Sequence, residues 1–297
     1  MPNYSLTSAP MSIRTILLPI RESDVADSLM ESAIAMAIRN NAHLDLLYVK
    51  NDPEHMIPFA TMGLTDSMRK MIIESAGASS NQQAQDLKQR FDQLCSKYEI
   101  TQTSRKNHSG QSSADFLQLV GQRDALIGSH GRLADLIIVP QPLRVSPPPS
   151  SFEAALRESG RPVLMVPRDK TLVEAGKRIA IGWNNSKEAA QAIAAVMDNL
   201  QRAEQVYVIC SQQRMGQLSN ADDVGTYLAC HGVKAESIIL NRGNLSAGEA
   251  LLDKAESLSC DRLVVGGYSR AKIRDVIMGG VTGHLLKHAQ LPVILVH

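Results

Sequence analysis

Two glycine pairs, Gly266–Gly267 and Gly279–Gly280, bracket a basic segment that carries Arg270, Lys272 and Arg274. Glycine lets backbone N–H groups come close to an anion, and successive amides in such a turn form an anion-binding concavity. A helix beginning at Gly280 would add the positive end of its dipole. The chemistry suited to this spacing is the cradling of a phosphate, with the three cations as charge-assisted donors. The same residues also suit a plain strand-to-helix turn followed by a solvated basic loop, and the glycines alone do not choose between the two.

Other chemistries find less support. There is no Gly-x-x-x-x-Gly-Lys-Ser/Thr stretch, which excludes a P-loop, and no Gly-x-Ser-x-Gly elbow to present a nucleophilic serine. The carboxylate nearest the glycines, Asp275, reads as a cap or a solvent-facing group, so no general base and no catalytic residue is assigned. His284 and His288 have the i, i+4 spacing of a zinc pair but lack a third ligand, and read as a helix face; His297 reads as exposed. Gly128–Ser129–His130–Gly131 precedes a strand, so it reads as a helix stop. Cys95, Cys210, Cys230 and Cys260 form no Cys-x-x-Cys pair and read as buried, reduced thiols of a cytoplasmic protein.

The elements that must position the glycines are legible around them. An apolar run at 263–265 is short enough for a buried strand, a helix follows from Gly280 through Ala289, and Pro292 opens a last strand at 293–296. This stretch is the end of a unit that occurs twice. RTILLPIRES at 14–23 parallels KRIAIGWNNS at 177–186; ADLIIVP, with Asp135, parallels DRLVVGG, with Asp261; GRPVLMVP, with Pro162, parallels QLPVILVH, with Pro292.

In the later copy, strands at 178–183, 205–210 and 233–240 alternate with helices at 187–198, 221–231 (capped by Ser219 or Asn220) and 247–258, where Ser246 and Glu249 form a capping box. The earlier copy repeats this plan through 14–20, 24–39, 43–49, a long helix, 100–105 as strand, 113–126 as helix, 136–139, 152–157 and 162–166. Strand–helix alternation predicts a parallel sheet with helices on both faces, and a ligand crevice at the C-terminal strand ends. The earlier copy is longer, and residues 51–78, with Met62, Met68 and Met71, hold the excess as a cover or an extended helix running into 81–97. After Val139 it has Pro140, Pro142 and Pro147–Pro149 in place of a glycine loop.

Composition narrows the function class. Of 297 residues, 44% are hydrophobic and 21% charged, the balance of a folded soluble protein. A net charge of +1 gives no electrostatic grip on nucleic acid or anionic lipid, and 4% aromatics give no stacking platform for single strands. No apolar run reaches the ~20 residues of a membrane helix. Residues 1–12 lack the pattern of a signal peptide and read as a disordered lead, with Met11 a second candidate start.

These residues together resemble the universal stress protein family in its tandem form. The family hallmark after the fourth strand is Gly, two residues, Gly, nine residues, Gly, then Ser or Thr. Gly266 and Gly279 fit it, Ser269 stands for the second glycine, Gly280 stands for the Ser or Thr, and Val281 and Thr282 continue it. The resemblance runs through both halves from Arg14 onward and implies two Rossmann-like (adenine nucleotide alpha hydrolase-like) α/β domains at 12–168 and 177–297. Each would be an open five-stranded parallel sheet, the two related by pseudo-twofold symmetry through strands 162–166 and 293–296.

It further implies ATP or a related adenine nucleotide, with magnesium, bound in the second domain only. Family members that bind ATP place an Asp where this chain has Asn184, and the matching turn of the first domain, IRES, has neither Asp nor Asn. The site so implied comprises Trp183, Asn184, Asn185, Ile209, Gly266, Gly267, Ser269, Arg270, Gly279, Gly280, Val281 and Thr282. A non-enzymatic stress-response factor that pairs into a homodimer is the function implied. A weak nucleotide hydrolase and an interaction protein without nucleotide remain the alternatives.

Overall fold

The computed structural model describes residues 13–21, 27–50, 65–142, 150–168, 170, 172, 176–211, 221–267 and 280–297. The chain divides into two compact units, Arg14–Val173 and one containing Glu174–His297.

In the N-terminal unit the strands are β1 (Thr15–Ile20), β2 (His43–Lys50), β3 (Thr101–Gln102), β4 (Ser113–Val120), β5 (Leu136–Pro140) and β6 (Val163–Val166). They lie in the order β3-β4-β2-β1-β5-β6, all parallel. The connecting helices are α1 (Asp27–Asn40), α2 (Asp66–Lys97), α3 (Arg123–Gly131) and α4 (Ser150–Glu158). Ile16, Leu17, Leu18 and Ile20 of β1 are wholly buried, as a central parallel strand covered on both faces requires.

The C-terminal unit has β7 (Arg178–Trp183), β8 (Gln205–Ser211), β9 (Ala235–Leu240), β10 (Arg262–Gly266) and β11 (Val293–Val296), in the parallel order β9-β8-β7-β10-β11. Its helices are α5 (Lys187–Ala195), α6 (Met197–Arg202), α7 (Ala221–Cys230), α8 (Ala247–Ser257) and α9 (Val281–His288). The capping box of α8 is present: Ser246 Oγ accepts the Glu249 N–H at 3.2 Å and Glu249 reaches back to the Ser246 N–H. Strand order reverses between β7 and β10, so the crevice lies at their C-terminal ends, Trp183 and Gly266.

The same strand order appears in both units, with β3 added to the first. A shared hydrogen-bond device marks the equivalence. Asp135 accepts the N–H groups of Arg14 and Thr15, both at 2.9 Å, and its own amide donates to the Thr15 carbonyl. Asp261 accepts those of Gly176, Lys177 and Arg178 at 2.7, 2.9 and 3.1 Å, and its amide donates to the Arg178 carbonyl. Downstream, Ile137 donates to Pro162 and Leu263 to Pro292, each at 3.0 Å.

The sequence reading fails in one region of the first unit. Residues 113–126 were expected as helix and 100–105 as strand; instead Ser113–Val120 is β4, paired with β2 over its whole length, and helix α3 starts at Arg123. Only Thr101–Gln102 is strand, followed by a single 3-10 turn at Arg105–Asn107. The polar Asp115 and Gln118 blur the apolar pattern of a half-exposed strand, and pairing with β2 overrides local propensity. The expected helix 187–198 also breaks, at Val196, into α5 and α6. Residues 51–64 lie outside the described residues, whereas 66–97 form one 32-residue helix, α2, tied to α1 by Arg90–Asp27 at 2.6 Å and Lys97–Glu31 at 2.8 Å.

Asp261→Ala strips three amides of one shared acceptor and is expected to destabilise the C-terminal unit by about 2–4 kcal/mol, with Asp261→Asn costing less. Urea unfolding followed by the fluorescence of Trp183, the chain's one tryptophan, measures it. An Asp261→Ala midpoint equal to wild type would rule this anchor out.

Candidate functional site

The turn after β7 is built from its own side chains. Asn184 Oδ1 accepts the Ser186 N–H at 3.0 Å, Asn185 takes a left-handed backbone (φ 58°), and Ser186 Oγ accepts the Ala189 N–H at 3.1 Å as N-cap of α5. Asn tolerates both the positive φ and the local side-chain bond, which is why two of them precede the capping serine. Trp183, Asn184 and Asn185 are half-buried at the crevice, whereas Ile209, opposite Gly182 on β8, lies in the core at 1% exposure.

Across the crevice, the glycines of β10 serve the fold. A Cβ on Gly266 would sit 2.6 Å from the Ala189 amide nitrogen and 2.8 Å from the Glu188 carbonyl carbon, so Gly266 is what lets the first turn of α5 rest on β10. Gly267 donates its N–H to the Val296 carbonyl at 2.7 Å, and its own carbonyl accepts from His297 Nδ1 at 3.2 Å. Gly280 differs. It is the N-cap of α9 with φ 114° and ψ 172°, and a Cβ there would meet nothing among the described residues within 4 Å. A helix's first amides have no intrahelical acceptor, so those of Val281 and Thr282 sit at the dipole's positive end. Thr282 itself is 7% exposed. Ser269, Arg270 and Gly279, with Lys272, Arg274 and Asp275, lie outside the described residues.

In the N-terminal unit the corresponding crevice is crossed by arginines. Arg21, which follows β1 as Asn184 follows β7, donates to Ser151 Oγ in the first turn of α4 at 2.8 Å. Arg123 donates to the carbonyls of Ile20 and Val49 at 3.1 and 2.9 Å, capping the ends of β1 and β2.

The remaining sequence candidates settle into structural roles. Gly128 and Gly131 close α3, where a Cβ would come within 2.7 Å of Glu158 Cβ and of Ile137 Cδ1 respectively. His284 and His288 stack with ring centroids 4.5 Å apart, and among the described residues no group of three His, Cys, Asp or Glu could hold a metal. Cys95, Cys210 and Cys260 are buried, but Cys230 is exposed, against expectation. Burial pushes the Cys95 thiol up to about 12 and that of Cys260 up to about 11, which leaves both poor nucleophiles. His297 is exposed, as expected, and its ring also bonds the Gly267 carbonyl; sequence reasoning missed a buried polar cluster around His43. The signal for that cluster was His-x-Asp on a strand, which sets both side chains on one face.

Two consequences can be measured. Gly266→Ala forces backbone apart where no side chain can yield, and should cost the C-terminal unit about 1–3 kcal/mol with or without nucleotide present; a stability equal to wild type would contradict the packing role. Burial, and then the charge of His288, hold the His284 imidazole below its ordinary value, with Glu249 and Asp253 opposing. The unfolded chain therefore takes that proton more readily. The contribution of neutral His284 is complete above about pH 6.5 and is lost as the pH falls below it. His288→Asn should flatten this acid-side loss in chemical denaturation; an unchanged slope would count against it.

Residues 176–297 match the model of the universal stress protein family. No curated protein matches the sequence. Among solved structures, a universal stress protein from Archaeoglobus fulgidus DSM 4304 is similar over 95% of this chain and 96% of its own, at 14% identity and a TM-score of 0.67. A functionally unknown protein from Pseudomonas aeruginosa PAO1 is similar over 96% of this chain and 92% of its own, at 17% identity and a TM-score of 0.55. At these identities the likeness concerns the fold, a Rossmann-like α/β architecture across nearly the whole chain. Residues 176–297 form one universal stress protein domain.

Proposed function

We propose that the C-terminal unit binds ATP or a related adenine nucleotide in the crevice between β7 and β10, and that the chain is a non-catalytic stress-response factor of the tandem universal stress protein type. The observation that carries this reading is Gly280: the family match covers it, and it opens α9 with a positive φ where a Cβ would meet no atom of the described residues within 4 Å. A phosphate would lie against the first amides of α9. Arg270 would neutralise it, Gly279 would let the backbone approach, and magnesium bound with the nucleotide would supply further positive charge. Trp183, Asn184 and Asn185 would bound the nucleoside side, with Ile209 supporting them from below. Residues 12–168 would be the degenerate first domain and 177–297 the binding domain. The reading includes a cytoplasmic location and a homodimer. Among the described residues no helix is long and apolar enough to cross a membrane.

A second reading, an interaction protein that takes no nucleotide, is favoured by a separate observation. Asn184 Oδ1 and both backbone groups of Gly267 are already engaged within the protein. A hydrolase reading would require a residue that activates water.

Calorimetric titration and thermal unfolding with ATP and magnesium separate the three. Binding should stabilise the C-terminal unit by about 2.7 kcal/mol at a hundredfold excess over Kd, an upward Tm shift of several degrees. Gly280→Val, which puts a β-branched residue at φ 114°, should weaken binding about tenfold or more. No heat and no shift at millimolar ligand would favour the interaction protein. ADP release abolished by Gly279→Asp would establish the hydrolase.

A further inference from the structure

We propose that residues 103–112 form a proton-operated latch over the start of the β2–β4 pair, in the N-terminal unit and apart from any nucleotide crevice. His43 is wholly buried at the start of β2. Its Nε2 lies 3.0 Å from Asp45 Oδ1 and its Nδ1 lies 2.8 Å from Ser113 Oγ. The strand register sets His43 opposite Ser113, and Asp45, two residues on, shares their face. The segment 103–112 brings two further groups onto this cluster. His108 Nδ1 lies 3.0 Å from the same Ser113 Oγ, and Arg105 donates to Asp45 Oδ2 and to the Leu133 carbonyl. The His43 and His108 rings meet edge to face, 5.8 Å apart.

The order Asp–His–Ser is the one that activates serine nucleophiles. Ser113, however, is 3% exposed and its hydroxyl is shared by a second imidazole, so it presents no oxygen to a substrate. What the arrangement does instead follows from its hydrogens. Asp45, as a carboxylate, only accepts, so Nε2 of His43 carries a hydrogen. Neutral His43 then offers a lone pair at Nδ1, the Ser113 hydroxyl donates to it, and the serine oxygen accepts from Nδ1–H of His108. The three ring and hydroxyl contacts are thus satisfied together, and His108 and Arg105 hold the segment down.

One added proton is absorbed by reversing the hydroxyl, which leaves imidazolium beside Asp45. A second changes the balance. Two imidazoliums then point at one oxygen, with the Arg105 guanidinium beside them. Among the described residues, the carboxylates on the cluster's face of β2 and β4 are Asp45 and, opposite it in register, Asp115. His108 and Arg105 are repelled from His43, and the segment lifts from the sheet edge. Acid therefore opens the latch and neutral pH closes it.

Hydrogen exchange of the full-length chain, corrected for intrinsic rates, tests this. Between about pH 7.5 and pH 5, protection of peptides covering 103–112 should fall about tenfold or more, while β11 keeps its own. His108→Gln can still donate to Ser113 but cannot take a proton, and should hold protection constant within about twofold. Constant protection in wild type, or an equal fall in both proteins, would overturn the proposal. Imidazole nitrogen NMR at neutral pH serves where the variant folds poorly. Neutral His43 with hydrogen on Nε2 supports the latch; hydrogen on Nδ1 of His43 refutes it.

Discussion

One carboxylate at the foot of β7 and β10 sets where the rest of the C-terminal unit sits. Asp261 gathers the amides of Gly176, Lys177 and Arg178 and returns its own N–H to Arg178. Parallel strands buried on both faces read as continuous apolar runs, and RIAIG against RLVVG could slide by a residue with little change in burial. Alternating polarity, which fixes the register of half-exposed strands, is absent here. The Asp261 tie supplies the missing information: it pairs Arg262 with Ile179, and therefore Val265 with Gly182, at the crevice. Asp135 does the same for β1 and β5.

Once register is fixed, glycines decide how closely the helices may come. Gly266 admits α5, Gly182 admits Leu251 of α8 at a Cβ distance of 2.8 Å, and Gly248 lets α8 approach His284 of α9 at 2.6 Å. These contacts aim α5 and α9 at the ends of β7 and β10. Glycines in a motif associated with ligands thus divide into two kinds. Gly266 and Gly267 are consumed by packing and by the β10–β11 ladder, whereas at Gly280 a Cβ would meet nothing among the described residues.

Much of this was legible in the sequence because it rests on local signals. The repeated apolar strands, the Ser246–Glu249 box and the glycine before α9 each announce themselves within a few residues. Strand β4 did not, since its identity depends on pairing with β2, some seventy residues earlier, and polar residues fall on both its faces, Asp115 on one and Gln118, beside Phe116, on the other. The roles of Gly266 and Gly131 were equally hidden. A glycine that answers to a helix packed across from it looks, in sequence, like a glycine that answers to a phosphate. The buried cluster at His43 was missed for a related reason: its five members come from β2, the segment before β4, and β4 itself, and only the sheet brings them together.

The contrast between the two crevices comes from few side chains, not from architecture. Arg21 and Asn184 each follow the last residue of a central strand in the same strand order. The short amide folds back onto its own turn and accepts the Ser186 N–H. The long guanidinium reaches over the crevice to Ser151, while Arg123 takes the carbonyls of Ile20, the last residue of β1, and Val49, the last but one of β2. Those carbonyls are acceptors that a ligand or water would otherwise have to satisfy. By meeting them with its own donors, the N-terminal unit replaces a ligand's contacts with intramolecular ones. That makes its crevice part of its fold.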